Sequence, residues 1–229
     1  MAGTRKICAT IMPQSAHELK GILREAGKQR PDYLELRLDR LPLREISSSL
    51  ADLEDARTRN TVLTLRSKEE GGHYQGNDTE RAKVISLLAK QNAMFVDVEE
   101  PFARRNRVFV KRLREEGTRM LIAYHNFYTT PIPRVLNNLC SEMLEMGEIA
   151  KIVTTAKTAL DNLKIFKLYK MANVDGKLLS FAMGELGQIS RIMSITHYGA
   201  PFAYCSLEVP LAPGMLSVRK MKEIIRSVP

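Results

Sequence analysis

Tyr33-Leu34-Glu35-Leu36-Arg37-Leu38-Asp39 alternates leucines with charged side chains at a period of two, the pattern of a strand whose two faces meet different surroundings. Residues 15–27 before it and 43–57 after it carry apolar residues at helical spacing. Working outward, short apolar runs of strand length recur eight times, at 6–11, 33–39, 61–66, 93–99, 119–125, 149–155, 178–183 and 202–207. Helical patterns follow them near 15–27, 43–57, 79–91, 102–116, 133–146, 157–172, 186–198 and 217–227. Ser15 with Glu18 three positions on reads as a capping box, and Gly27, Gly117 and Gly147 fall where helices should end. Eight alternations in 229 residues leave roughly 28 residues per unit, the scale of a βαβ repeat. Eight-fold alternation closes into a barrel, whereas a doubly wound sheet usually stops at five or six strands. The expectation is one (β/α)₈ TIM barrel of the α/β class spanning 1–229 as a single domain.

Composition sets the outer bounds. A hydrophobic fraction of 44% and a charged fraction of 27% are those of an ordinary globular chain. The apolar run 7–12 is shorter than a signal-peptide core, and no stretch has the length of a membrane span. Cys8, Cys140 and Cys205 are odd in number and lack CxxC spacing, so neither a disulfide framework nor a thiolate metal site is implied, and a cytoplasmic location is expected. The four histidines show no HxH or HExxH spacing, so no metal is expected. No Walker loop, GxGxxG or GxSxG motif is present. The net charge of +9 admits a nucleic-acid partner, yet the basic residues are dispersed along the helices without an aromatic-basic repeat. The same positive field favours encounter with a small anionic substrate.

In a (β/α)₈ barrel chemistry sits at the C-terminal ends of the strands, which makes late polar residues informative. Alternation places Glu35, Arg37 and Asp39 toward the lumen, either as a site or as an internal ion network that closes the barrel. Arg66 ends the third run beside the loop Ser67-Lys68-Glu69-Glu70-Gly71-Gly72; a guanidinium there suits an anion or a hydroxyl. His125 ends the fifth run, where an imidazole serves proton transfer or simply a structural hydrogen bond. Lys151 interrupts Ile149-Ala150-Lys151-Ile152-Val153, a run buried on both faces in a parallel barrel. A desolvated lysine is available as a nucleophile. The competing reading is a buried ion pair with Asp97 or Glu99 of the fourth run.

Taken in order, Glu-Leu-Arg-Leu-Asp (35–39), Arg-Ser-x-x-Glu-Gly-Gly (66–72), Tyr-His-Asn-Phe (124–127), Ala-Lys-Ile (150–152), Ile-Ser-Arg (189–191) and Ala-Pro-Gly (212–214) resemble the type I 3-dehydroquinate dehydratases, Schiff-base lyases of the shikimate pathway. The resemblance covers nearly the whole chain and implies a cytoplasmic homodimer acting on 3-dehydroquinate without a cofactor. It implies that Lys151 forms the imine, that His125 is the general base and acid, and that Glu70 orients His125. It further implies that Thr10, Glu35, Arg37 and Arg66 line the substrate pocket, that Arg191 binds the carboxylate, and that Met183 packs near the lysine. The chain departs from the family in the loop after the eighth strand. A small hydroxyl residue two positions before Pro-Gly and a glutamine directly after it are replaced by Leu211 and Met215. Other readings are another Schiff-base barrel such as an aldolase, a non-catalytic or altered-specificity paralogue binding a related cyclic hydroxy acid, and a basic nucleic-acid-binding domain. Leu211 and Met215 favour the paralogue, whereas the strand charges argue against the nucleic-acid domain.

Overall fold

The computed structural model describes residues 5–51, 53, 58–171, 173–207 and 209–228. Its eight strands are β1 (Ile7–Ile11), β2 (Tyr33–Arg37), β3 (Thr61–Thr64), β4 (Phe95–Glu99), β5 (Met120–His125), β6 (Ile149–Thr155), β7 (Leu178–Met183) and β8 (Ala203–Ser206). They form one parallel sheet in the order β7-β6-β5-β4-β3-β2-β1-β8, the expected (β/α)₈ barrel.

The helices are α1 (Ala16–Gln29), α2 (Leu43–Ala51), α3 (Asp78–Ala89), α4 (Glu100–Arg105), α5 (Arg107–Glu115), α6 (Pro133–Met146), α7 (Asp161–Leu168), α8 (Gln188–Thr196) and α9 (Val218–Ser227). Parts of the expected ends of the second and sixth helices, at 52, 54–57 and 172, lie outside the described residues. Three local expectations are corrected. The helix expected over 102–116 is two, broken at Asn106, whose side-chain amide donates to the Phe102 carbonyl and to Asp78. Gly27 lies inside α1, which instead ends at Arg30 in the left-handed region (φ 49). Ser15 caps α1 by accepting from the Glu18 N–H, but the Glu18 carboxylate accepts from Gln14 rather than closing a box on Ser15.

Strand alternation divides the apolar residues into two cores. Leu36, Leu38, Leu63, Val98, Ile122 and Ile152 face outward and pack with helix residues such as Leu19, Ile46, Ile85 and Leu136. Cys8, Val62, Phe95, Leu121, Ile149, Leu179 and Phe202 fill the lumen, mostly from the early part of each strand. That plug leaves the late strand positions for polar groups.

Seven ladders join the strands, and β7 and β8 are the two ends of the order. In β7 the even-numbered residues present their backbone groups to this seam. The Tyr169 hydroxyl donates to the Ser180 carbonyl (2.9 Å) and accepts from the Ser180 N–H (2.7 Å). The Ser190 hydroxyl accepts from the Ala182 N–H (2.8 Å). Side-chain hydroxyls thus replace the missing ladder, so the buried edge is not left unsatisfied. Tyr169→Phe removes both partners of Ser180 and should cost about 2 kcal/mol or more. Urea denaturation should read this as a lowered midpoint, and an unchanged midpoint would show that the hydroxyl does not hold the seam.

Candidate active site

Lys151 sits in the middle of β6, in register with Ala123 of β5 and Leu179 of β7, and is 5% exposed. Its Nζ donates to Asp97 Oδ2 at 3.0 Å and to Glu35 Oε1 at 3.3 Å, and lies 4.2 Å from the centroid of the Tyr204 ring. Both acids are held from behind. Glu35 accepts from Thr10 (2.8 Å) and Thr64 (3.1 Å), and Asp97 accepts from Arg66 Nη2 (2.7 Å). Burial pushes the Asp97 carboxyl up, but the Arg66 guanidinium and the Lys151 ammonium prevail and hold it below the usual range. Glu99, the other acid considered for the lysine, turns away to Arg81 (2.7 Å) and to the N–H and hydroxyl of Ser67.

His125 closes β5 at the mouth. Its Nδ1 is 3.0 Å from Glu70 Oε2, and the same oxygen accepts from the His125 main-chain N–H at 3.2 Å. Burial, reinforced by Arg66, Lys151, Arg37 and Arg191, drives the imidazole well below its ordinary value. Glu70 is pushed up to about 7, mainly by burial and then by the charges of Glu99 and Asp97, against the opposing pull of Arg66. The contact is therefore a hydrogen bond to a neutral imidazole rather than an ion pair. With Glu70 ionised, Nδ1 is the donor and Nε2 keeps its lone pair.

The loop that carries Glu70 depends on its two glycines. Gly71 has φ 76, and a Cβ there would lie 2.7 Å from the Phe127 ring; a Cβ on Gly72 would lie 2.1 Å from the Arg66 carbonyl oxygen. Phe127 in turn stacks on His125, with centroids 5.9 Å apart. Asp39, expected in the lumen, does not line the cavity. It lies past the end of β2, takes a bidentate contact from Arg37 (2.7 and 2.9 Å), and accepts from the His73 N–H at the far side of the same loop.

Arg191 is carried by α8 and is 4% exposed. It stacks on Phe181 at 4.0 Å, donates one long bond to the Pro213 carbonyl (3.4 Å) and leaves Nε without a partner. Among the described residues it has no acidic partner, and burial pushes it down to about 10. A buried guanidinium in this condition has the charge and the spare donor to receive an anion.

Thr10, Glu35, Arg37, Arg66, Glu70, His125, Lys151 and Arg191 all line one cavity of about 160 Å³. Met183 lines it too, and Leu211 and Met215 cover it from the loop after β8. Sequence reasoning did not single out Val153, Phe181 or Tyr204, which also line it. Counting by two along β6, β7 and β8 reaches all three. Arg66 Nη1, Arg191 Nε and the Tyr204 hydroxyl are buried without hydrogen-bond partners among the described residues, so spare donors gather at this cavity. The arrangement can hold an anionic, hydroxylated compound against a lysine and a neutral imidazole.

The sequence model of the type I 3-dehydroquinases matches residues 7–228. The 3-dehydroquinate dehydratase of Methanococcus maripaludis strain C6 is 32% identical over 97% of this chain and 99% of its own. That of Pyrococcus abyssi is 33% identical over 92% and 94%. Among solved structures, the enzyme of Aquifex aeolicus superposes with a TM-score of 0.79 at 26% identity, over 96% of both chains. The Geobacillus kaustophilus enzyme gives 0.87 at 21% identity, over 97% of this chain and 90% of that one, which speaks to the fold. A family match over almost every residue, on a barrel whose lumen carries the lysine, the histidine and the arginines together, has one meaning: the chain belongs to the type I 3-dehydroquinase family.

Proposed function

We propose that this site dehydrates 3-dehydroquinate to 3-dehydroshikimate through an imine on Lys151. The observation that carries the reading is a lysine buried in the barrel lumen between two carboxylates, in one cavity with a neutral imidazole oriented by a third. Lys151 passes one ammonium proton to a carboxylate it already contacts, attacks the C3 ketone as the amine and expels the ketone oxygen as water. The protonated imine then withdraws electrons from C2, so that His125 Nε2 can take the C2 proton. The imidazolium formed returns that proton to the C1 hydroxyl, which departs as water. Addition of a water to C3 then breaks the N–C3 bond, releasing the product ketone and freeing Lys151. Glu70 acts through His125 as a positioning residue, fixing the tautomer. Arg191 receives the ring carboxylate, while Glu35, Arg37, Arg66 and Thr10 meet the ring hydroxyls.

Asp97 and Glu35 serve the same end. An iminium is a permanent cation on the nitrogen that these acids already face, so the electrostatic support exists before the bond forms. An aldolase reading lacks a use for the His125–Glu70 pair. The altered-specificity reading rests on Leu211 and Met215 alone, which bring no polar side-chain group to the cover of the cavity.

A homodimer is part of this reading. Ile132, Val135, Leu160, Leu163, Leu186 and Ile189 are exposed apolar side chains on or beside α6, α7 and α8, which pack in sequence around the barrel. Exposed apolar side chains on neighbouring helices suit burial against a second copy. The three cysteines are buried and free, in keeping with a reducing cytoplasm. Among the described residues no helix is long and apolar enough to cross a membrane.

Enone absorbance should develop when the protein is mixed with 3-dehydroquinate, and Lys151→Ala should produce none. Activity should rise as Glu70 loses its proton, giving kcat/KM an acid limb near pH 7. Glu70→Gln should erase that limb while costing less than the roughly 10²–10⁴-fold expected for losing the base itself. Wild-type protein without enone formation would overturn the assignment; a limb that survives Glu70→Gln would remove Glu70 from it. Light scattering should find twice the chain mass, reduced by Leu163→Glu, and a monomeric wild type would contradict the dimer.

A further inference from the structure

We infer that Tyr204 takes part in forming the imine: its ring faces the reacting nitrogen, and its hydroxyl donates a hydrogen bond to the oxygen that leaves C3. The inference rests on the function proposed above. Alternation along β8 turns Ala203 and Cys205 outward to the helix layer and Tyr204 inward to the lumen, where it pairs in register with Cys8. Phe202 abuts its ring edge-on at 5.3 Å and fixes it beside Lys151, whose Nζ stands 4.2 Å from the ring centroid. The residue is 5% exposed and lines the cavity.

Its hydroxyl is the anomaly. It is buried, yet among the described residues nothing accepts from it or donates to it. Buried tyrosine hydroxyls normally find a partner, and leaving one unpaired costs about 1–3 kcal/mol. Burial first, then the carboxylates of Glu35 and Asp97, push the phenol well above its ordinary range, so it keeps its proton and remains a donor. A phenylalanine would fill the same space without that cost. The spare donor beside the nucleophile is therefore explained by a partner that arrives with the substrate.

The chemistry of the step supplies one. The Lys151 ammonium and the C3 ketone become an iminium and water: the N–C3 bond forms, the C3–O bond breaks, and two of the three ammonium protons leave with the oxygen. Negative charge builds on that oxygen as nitrogen attacks and again as the C–O bond breaks. A fixed donor is most effective at such a point. The positive charge stays on nitrogen at the beginning and the end, so the ring face stabilises both states.

Tyr204→Phe keeps the ring and deletes only the oxygen. Under rapid quench with borohydride at saturating 3-dehydroquinate, the rate of adduct formation should fall roughly tenfold, as for one lost hydrogen bond in the transition state. The final adduct per chain should stay as in wild type. The isotope effect on kcat with C2-deuterated substrate should shrink toward one, because imine formation becomes limiting; a merely structural role would not move it. Tyr204→Leu should also lower the final adduct yield, since the ring is lost. Thermal melting of Tyr204→Phe should match or exceed wild type. Wild-type trapping rate and isotope effect in Tyr204→Phe would overturn the inference, and so would a raised KM with an unchanged trapping rate. Absence of any adduct in wild type would instead sink the proposed function itself.

Discussion

The contact between the Lys151 ammonium and the carboxylates of Asp97 and Glu35 governs the layout of the lumen. An unpaired ammonium would not stay charged at this depth. Pairing it requires two buried acids, and those acids need partners in turn. Arg66 faces Asp97, Thr10 and Thr64 hold Glu35, and Arg81 and Ser67 satisfy Glu99 beside Arg66. Three basic side chains (Lys151, Arg66, Arg81) and three acidic ones (Asp97, Glu35, Glu99) thereby form a balanced set drawn from β2, β4, β6, the loop after β3 and α3. Removing one member of a buried set leaves another charge uncompensated, at a cost of about 3–5 kcal/mol. The competing ideas of a structural ion pair and a nucleophilic lysine are compatible with one arrangement, because the iminium of the proposed function would keep the charge that the carboxylates face.

Around this core the site is divided by polarity. The lumen below is sealed by Phe95, Leu121, Ile149 and Phe202, which excludes water from beneath the lysine and strengthens each electrostatic contact above it. At the mouth burial keeps the His125 imidazole neutral and pushes Glu70 up to about 7, separate from the ion network although both sense its charges. Arg191 lines the same cavity as a desolvated cation with a spare donor, the group to which the proposed function assigns the ring carboxylate. Unmatched hydrogen-bonding groups gather at this cavity, and the proposed function gives them a partner in the substrate.

Much of the fold was legible because period-two alternation at 33–39 reports both strand and face, and seven further apolar runs of strand length, each followed by a helical pattern, repeat the unit. Local terms set the departures. The Asn106 amide replaces a turn of helix, and Arg30 adopts a left-handed cap that no glycine marks. The polar residues of the lumen were also readable: alternation picks out Glu35, the end of an apolar run picks out Arg66 and His125, and interruption of a run buried on both faces picks out Lys151. What the sequence conceals is pairing across the barrel. Nothing local distinguishes Asp97 from Glu99 as the partner of Lys151. Strand register lines Lys151 up with Ala123 and Glu99, yet Asp97 is the acid that reaches the ammonium across the lumen, while Glu99 is taken by Arg81 and Ser67. The same holds for Asp39, which alternation aims inward but which lies beyond the end of β2 and clamps the loop of Glu70. The hydroxyl seam between β7 and β8 depends on Tyr169 and Ser190, side chains that a pattern of apolar residues does not register.

The most direct measurement of the central claim is a crystal structure of the chain after borohydride reduction in the presence of 3-dehydroquinate. The account requires continuous density from Lys151 Nζ to C3 of the ring, with Asp97 and Glu35 still in contact with the linking nitrogen and the ring carboxylate on Arg191. A ring bonded to a different lysine, or bonded to Lys151 with both acids turned away and its carboxylate remote from Arg191, would contradict it.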